Sequence, residues 1–169
     1  MKLPPRERLS ARGLRVAVVR SLFNRPVTDG LLQGALSAFA EMGVGTSDVA
    51  VFDLPGAFEL PLAAQAAARA GRFEAVVALG AVIEGETDHY EHVAREAASG
   101  LAAVARETGV PVAFGVLTVS REEQALARCA PGPDNKGAEA ARAVLASVAS
   151  LREIRRLARG PRRAPAGRS

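Results

Sequence analysis

The two histidines of this 169-residue chain, His89 and His92, stand in one short stretch, AVIEGETDHYEHV, residues 81–93. An apolar run ends at Ile83, Gly85 breaks it, and three acids, Glu84, Glu86 and Asp88, crowd the turn. A turn between a strand end and a helix start offers free backbone N–H groups and the positive end of the helix dipole, so it suits an anion. Gly85 lets backbone approach a ligand closely, and Thr87 adds a hydroxyl and reads as an N-cap. An ordinary capped junction has the same composition. Inward-pointing acids would repel an anion, so a cation from another element is required, and Arg128 is the candidate. His89 falls in the first helical turn, beside this site, where an imidazole suits proton transfer near neutral pH. His92, three residues on, shares that helix face one turn further away and reads as packing or solvent-facing. A metal site needs a third ligand in fixed geometry, and Asp88 and Glu91 point elsewhere around the helix, so no metal is expected.

Aromatic and amide groups follow two other apolar runs. Phe23 suits stacking on a planar ring, with Asn24 bonding polar atoms nearby, although a core phenylalanine and a turn asparagine look the same in sequence. PGAFE, residues 55–59, supplies Phe58, the carboxylate of Glu59 and the backbone groups of a helix start. Lys136 lies at another helix start, where the dipole disfavours a cation, so Glu139 is its expected partner. There is no P-loop, no G-x-G-x-x-G, no G-x-S-x-G and no Cys-x-x-Cys.

The elements that must position these groups alternate. LRVAVV (14–19), DVAVFDL (48–54), FEAVVALGAVI (73–83) and PVAFGVLTV (111–119) read as strands, the last two continuous enough to be buried on both faces. Between them lie helical patterns. Thr28 is expected to cap the first, with Leu31, Leu32, Ala35, Leu36 and Phe39 on its apolar face and Gly43 as its stop. AFELPLAAQAAARAG is the second, with Pro61 in its first turn. The segment from Asp88 onward is the third. Ser120 with Glu123 matches a capping box opening a fourth, and the last helix begins at NKG. Strands alternating with helices predict a three-layer αβα sandwich around a mainly parallel, flavodoxin-like four-stranded sheet, with ligands at the carboxyl ends of the strands.

Composition bounds the rest. The length suits one cored domain, residues 14–150. Of the net charge of +4, residues 1–13 contribute +3 and residues 151–169 contribute +6, leaving a mildly acidic body at −5. Residues 1–13 read as a basic N-terminal extension, and residues 151–169 as the end of the last helix and a basic tail that is solvated and partly disordered; no aromatic interleaves the tail arginines, so it is not read as a nucleic-acid surface. No apolar run is long enough to span a bilayer, and the N-terminus lacks the apolar core of a signal peptide. One cysteine, Cys129, precludes an internal disulfide, and a soluble cytoplasmic protein is expected.

Taken together, FN (23–24), PGAFELP (55–61), GETDHYEHVAREAASGL (85–101), FGVLT (114–118), EQALAR (123–128) and NKGAEAA (135–141) resemble the 6,7-dimethyl-8-ribityllumazine synthases of riboflavin biosynthesis. Each segment is common alone; their order and spacing are specific. The resemblance runs from about Leu14 to Ala149. It implies condensation of 5-amino-6-(D-ribitylamino)uracil with 3,4-dihydroxy-2-butanone 4-phosphate, without metal or organic cofactor. It implies that Phe23 stacks on the pyrimidine, that Asn24, Ala57, Phe58 and Glu59 surround the ribityl chain, and that Val82 and Ile83 line the ring edge. Gly85, Glu86, Thr87 and Arg128 would hold phosphate, His89 would relay protons, Phe114 would cover the ring from the neighbouring subunit, and Lys136 and Glu139 would complete the pocket. It further implies sites between subunits of a homopentamer, with assembly into an icosahedral shell and riboflavin synthase as cargo open alternatives. The family has a basic residue where this chain has Glu84, and CAPGPDN (129–135) replaces its Gly-Thr-Lys-containing turn at equal length. A non-catalytic flavin or lumazine carrier of the same fold is the alternative reading.

Overall fold

The computed structural model describes residues 11–159. Most of the N-terminal extension lies outside the described residues, as does the tail beyond residue 159, for which disorder is expected. The chain runs β1 (Val16–Ser21), α1 (Arg25–Glu41), a short 3-10 turn (Thr46–Asp48), β2 (Val49–Leu54), α2 (Leu60–Arg69), β3 (Ala75–Ile83), α3 (His89–Thr108), β4 (Val112–Val119), α4 (Glu122–Cys129) and α5 (Lys136–Ala158). The strands pair in the order β2-β1-β3-β4 and every pairing is parallel.

Two cores sit on the two faces of this sheet, because successive strand residues point to opposite sides. Val16 and Val18 of β1 and Val77 and Leu79 of β3 meet α1 and α5 through Leu31, Phe39, Val144 and Leu145. Ala17, Val19, Val76 and Ala78 meet α2 and α3 through Leu60, Ala64, Leu101 and Val104. The three-layer flavodoxin-like sandwich follows, and β1 and β3 are buried on both faces. β2 and β4 are edges, so Val51, Phe52 and Asp53 of β2 and Phe114 and Thr118 of β4 reach solvent, which tempers the expectation of a fully buried β4.

The starts of α1 and α4 differ from expectation. α1 begins at Arg25, with Asn24 at the N-cap and Pro26 in the first turn, so Thr28 is not its cap. Pro26 has no N–H to lose there and its φ already suits a helix; the Thr28 hydroxyl donates instead to the Arg25 carbonyl, 3.4 Å away. The box at α4 is shifted by one residue from the Ser120–Glu123 expectation: Gln124 Oε1 accepts from the N–H groups of Ser120 and Arg121. Gly43 ends α1 as expected, with φ of 85°. No helix among the described residues is long and apolar enough to cross a membrane.

The α1–α5 contact is organised by Asn135. Its Oδ1 accepts from the N–H groups of Gly137 at 2.9 Å and Ala138 at 3.1 Å, capping α5. Its Nδ2 donates to the carbonyls of Gly30, Cys129 and Ala130. Beside it, Gly137 lies against the Leu31 carbonyl, with no room for a Cβ. Asn135→Ala removes the cap and leaves buried carbonyls unpaired, and is expected to cost about 3 kcal/mol in urea unfolding.

Candidate active site

The carboxyl ends of β1 and β3 are adjacent, so the turns that follow them share one edge of the sheet. The β1–α1 turn is held from several sides. The Leu22 N–H donates to the Leu54 carbonyl at 2.8 Å. The Phe23 N–H donates to Oγ of the fully buried Ser21 at 3.2 Å. Asn24 adopts the left-handed conformation, φ 58° and ψ 48°, and its Nδ2 donates to the Ala81 carbonyl of β3 at 2.9 Å. This reversal throws Phe23 outward, 69 % exposed, and Phe58 beyond β2 is 60 % exposed. Large apolar side chains held out of the core mark a surface meant to be covered.

These rings border a cavity of about 620 Å³ that Ala57, Glu59, Val82 and Ile83 also line. Gly85, Thr87 and His89 reach the same cavity. Nine of the expected site residues thus converge, since Phe23 and Phe58 complete that set. Tyr90, His92 and Val93 line it too. His92 was expected to face packing or solvent; it is exposed and also borders the cavity, because its i+3 spacing returns it to the face of His89.

At the β3–α3 turn Thr87 is not the N-cap. Asp88 takes that position and makes no side-chain cap bond, so the first backbone N–H groups have no side-chain partner, the condition for anion binding. A Cβ built on Gly85 would meet nothing within 4 Å. Glu84, Glu86 and Asp88 are exposed, and Glu86 shares the turn without lining the cavity.

The remaining expected residues lie elsewhere on the chain. Phe114, Arg128, Lys136 and Glu139 line a second groove, about 500 Å³, along the free edge of β4. Arg128 Nη1 donates to the Gln124 carbonyl of its own helix at 2.9 Å, and Lys136 pairs with Glu139 as expected. Within one chain, the cation expected at the anion turn faces a different groove.

Sequence reasoning missed Ser21, which anchors Phe23, and Arg20, which is 7 % exposed. Arg20 forks onto Asp53 through Nε at 2.8 Å and Nη2 at 2.9 Å, and reaches Asp29 through Nη1 at 2.6 Å. An arginine at the end of a run of alanines and valines was the legible signal. Its hydrogen bond holds the Asp53 carboxyl below the usual carboxylate range, with the positive charge adding to the effect against a partial desolvation that works the other way.

A parallel sandwich with exposed aromatics and both histidines around a cavity at its strand ends is a flavodoxin-like α/β protein laid out to receive a small molecule. Residues 13–152 match the family model of 6,7-dimethyl-8-ribityllumazine synthase. The chain is 50 % identical over 141 residues to 6,7-dimethyl-8-ribityllumazine synthase 1 of Caulobacter vibrioides (strain ATCC 19089 / CIP 103742 / CB 15), covering 83 % of this chain and 92 % of that one. The chain belongs to the 6,7-dimethyl-8-ribityllumazine synthase family and is a transferase of riboflavin biosynthesis.

The Arg20–Asp53 pair predicts a pH effect. A carboxyl depressed in the folded state stabilises above its unfolded value, near pH ~4, and that contribution disappears as pH falls through the lower folded value. Asp53→Asn is therefore expected to be less stable than the parent at pH 7, with the gap closing as the pH is taken down to about 2. Urea midpoints of both proteins across that range check it.

Proposed function

We propose that the chain condenses 5-amino-6-(D-ribitylamino)uracil with 3,4-dihydroxy-2-butanone 4-phosphate in a site completed by a neighbouring copy. One observation carries this reading. The residues for ring, ribityl chain and leaving group divide into two sets on separate surfaces, the cavity at the β1 and β3 ends and the groove along β4. Apposing the cavity of one copy with the groove of the next brings Arg128, Phe114, Lys136 and Glu139 to Phe23, Phe58 and His89.

In that arrangement Phe23 stacks on the pyrimidine and the neighbour's Phe114 covers it. Val82 and Ile83 line the ring edge. Ala57, Phe58 and Glu59 receive the ribityl chain, and Asn24 offers Oδ1, its Nδ2 being bonded to the Ala81 carbonyl. Backbone N–H groups of Gly85 and Glu86 and the Thr87 hydroxyl hold the phosphate ester, with Arg128 as countercharge. The 5-amino group attacks the ketone and water leaves as the imine forms. Phosphate is eliminated, the 6-ribitylamino nitrogen closes the ring, and a second water is lost. His89 moves protons at the imine and phosphate steps, within reach of both. Holding two substrates in one pocket replaces a bimolecular encounter, which supplies much of the acceleration.

The assembly belongs to the same proposal: a homopentamer in the cytoplasm, with the equal-length CAPGPDN turn compatible with closure into an icosahedral shell that takes riboflavin synthase as cargo. The single cysteine fits a reducing compartment.

An assay with both substrates, following lumazine absorbance and phosphate release together, tests the reading. Equal amounts of both products, formed faster than the uncatalysed condensation, are expected; tight lumazine binding with no rate above background would make the chain a carrier. His89→Ala is expected to lower kcat about tenfold to a hundredfold without abolishing turnover, since proximity survives. Arg128→Ala is expected to raise KM for the phosphate substrate about tenfold and to leave KM for the pyrimidine in place. An unchanged KM for the phosphate substrate in steady-state kinetics would remove Arg128 from the site.

A further inference from the structure

We propose that Arg20 is a positioning residue for ring recognition: by gripping Asp53 and Asp29 together it sets the turn that presents Phe23 and the segment that presents Phe58 as one aromatic clamp. The proposal rests on the ring-site reading above and adds a residue outside the site, since Arg20 does not line the cavity.

Arg20 is the penultimate residue of β1 and stands opposite Asp53 in the β1–β2 register. Phe23 follows Arg20 by three residues and Phe58 follows Asp53 by five. The fork from Arg20 to Asp53 therefore ties the two strand ends just before each departs toward its aromatic. The third contact, to Asp29 at 2.6 Å, reaches the second turn of α1 and fixes the other side of the Phe23 turn. Arg25 adds a weaker approach to the same carboxylate at 3.6 Å. β2 is an edge strand bonded only to β1, so its end lacks the second strand neighbour that steadies β1 and β3.

Stability alone does not account for this arrangement. Removing a guanidinium from water carries a desolvation cost, and apolar residues of similar volume often serve a core as well. A planar fork on one carboxylate with a further bond to another adds orientation, which a hydrophobic contact does not. Asp53 and Asp29 keep 43 % and 48 % of their side-chain surface exposed, so both remain hydrated if Arg20 is lost. Among the described residues no ion pair or side-chain hydrogen bond joins this network to the Gly85–Thr87 turn. The ring and phosphate subsites should therefore respond differently to a change at Arg20.

Arg20→Met keeps most of the stem and removes the fork. Four readouts on the full chain separate the cases: Kd for the lumazine product by fluorescence titration, inhibition by inorganic phosphate, KM for each substrate, and the unfolding midpoint. The lumazine Kd and pyrimidine KM are expected to rise about tenfold, while phosphate inhibition and KM for the phosphate substrate stay within about twofold. Arg20→Lys, which keeps the charge without the fork, is expected to fall between. Should Arg20→Met not fold, Asp53→Asn carries the same comparison, because it leaves the Arg20–Asp29 contact in place. An unchanged lumazine Kd, or equal loss at both subsites, overturns the proposal alone. A parent protein that binds no lumazine overturns the ring-site reading and this proposal with it.

Discussion

Parallel pairing of two strands buried on both faces, β1 with β3, is the constraint on which the molecule depends. Each strand must be apolar along its length, because helices cover both sides. Each also leaves the sheet at the same edge, β1 at Ser21 beside Gly80 and β3 three residues further on at Ile83. The Asn24 amide closes the gap by donating to the Ala81 carbonyl. Backbone groups at strand ends have no ladder partner, so a side chain must satisfy them or water must. Asn24 supplies that partner and also accepts a left-handed conformation that β-branched residues resist. One residue thus satisfies a carbonyl, turns the chain and directs Phe23 outward.

The same economy appears where elements meet on the opposite face. Asn135 is almost fully buried and uses its carbonyl oxygen and its amide nitrogen at once. It joins the start of α5 to α1 and to the end of α4, and so sets the height at which Lys136 and Glu139 stand beside β4. Arg20 does the comparable work for β1, β2 and α1. Polar side chains with several fixed partners locate the ends of elements, and the two apolar cores then hold those elements against the sheet.

The sequence made the layers legible because their signals are long. Four apolar runs separated by helical spacing leave few topologies once crossovers are right-handed. Edges were less legible. Position in the sheet is set by tertiary pairing, so nothing local in PVAFGVLTV announces that Phe114 and Thr118 will face solvent. Caps were misread where two acceptable residues compete within one turn: Pro26 moved the start of α1 ahead of Thr28, and Asp88 displaced Thr87. Nine of the residues read from the strand ends line one cavity, since the ends of a parallel sheet converge. Arg20 went unread because its partner Asp53 is 33 residues away, and Ser21 because nothing local shows that a serine ending an apolar run is fully buried. A site between subunits was implied by the family resemblance and not by the spacing of the residues; the fold adds that the β4 groove and the β1–β3 cavity have separate linings within a chain.

That division bears on the acids around the anion turn. Glu84, Glu86 and Asp88 would oppose a phosphate if they shared its dielectric. All three are exposed, and the interaction of exposed charges is weakened by water and by salt within a Debye length of ~8 Å. The backbone N–H groups at the start of α3 act at contact distance and reorganise little when an anion arrives. A cation from a neighbouring copy would be desolvated as the two surfaces close, and its charge would count for more there than on the open chain. In the proposed assembly an acidic turn and a remote arginine would be complementary: the partner's cation would set the sign of the local field, and phosphate affinity would be a property of the closed interface, which would tie the chemistry of the leaving group to the second copy.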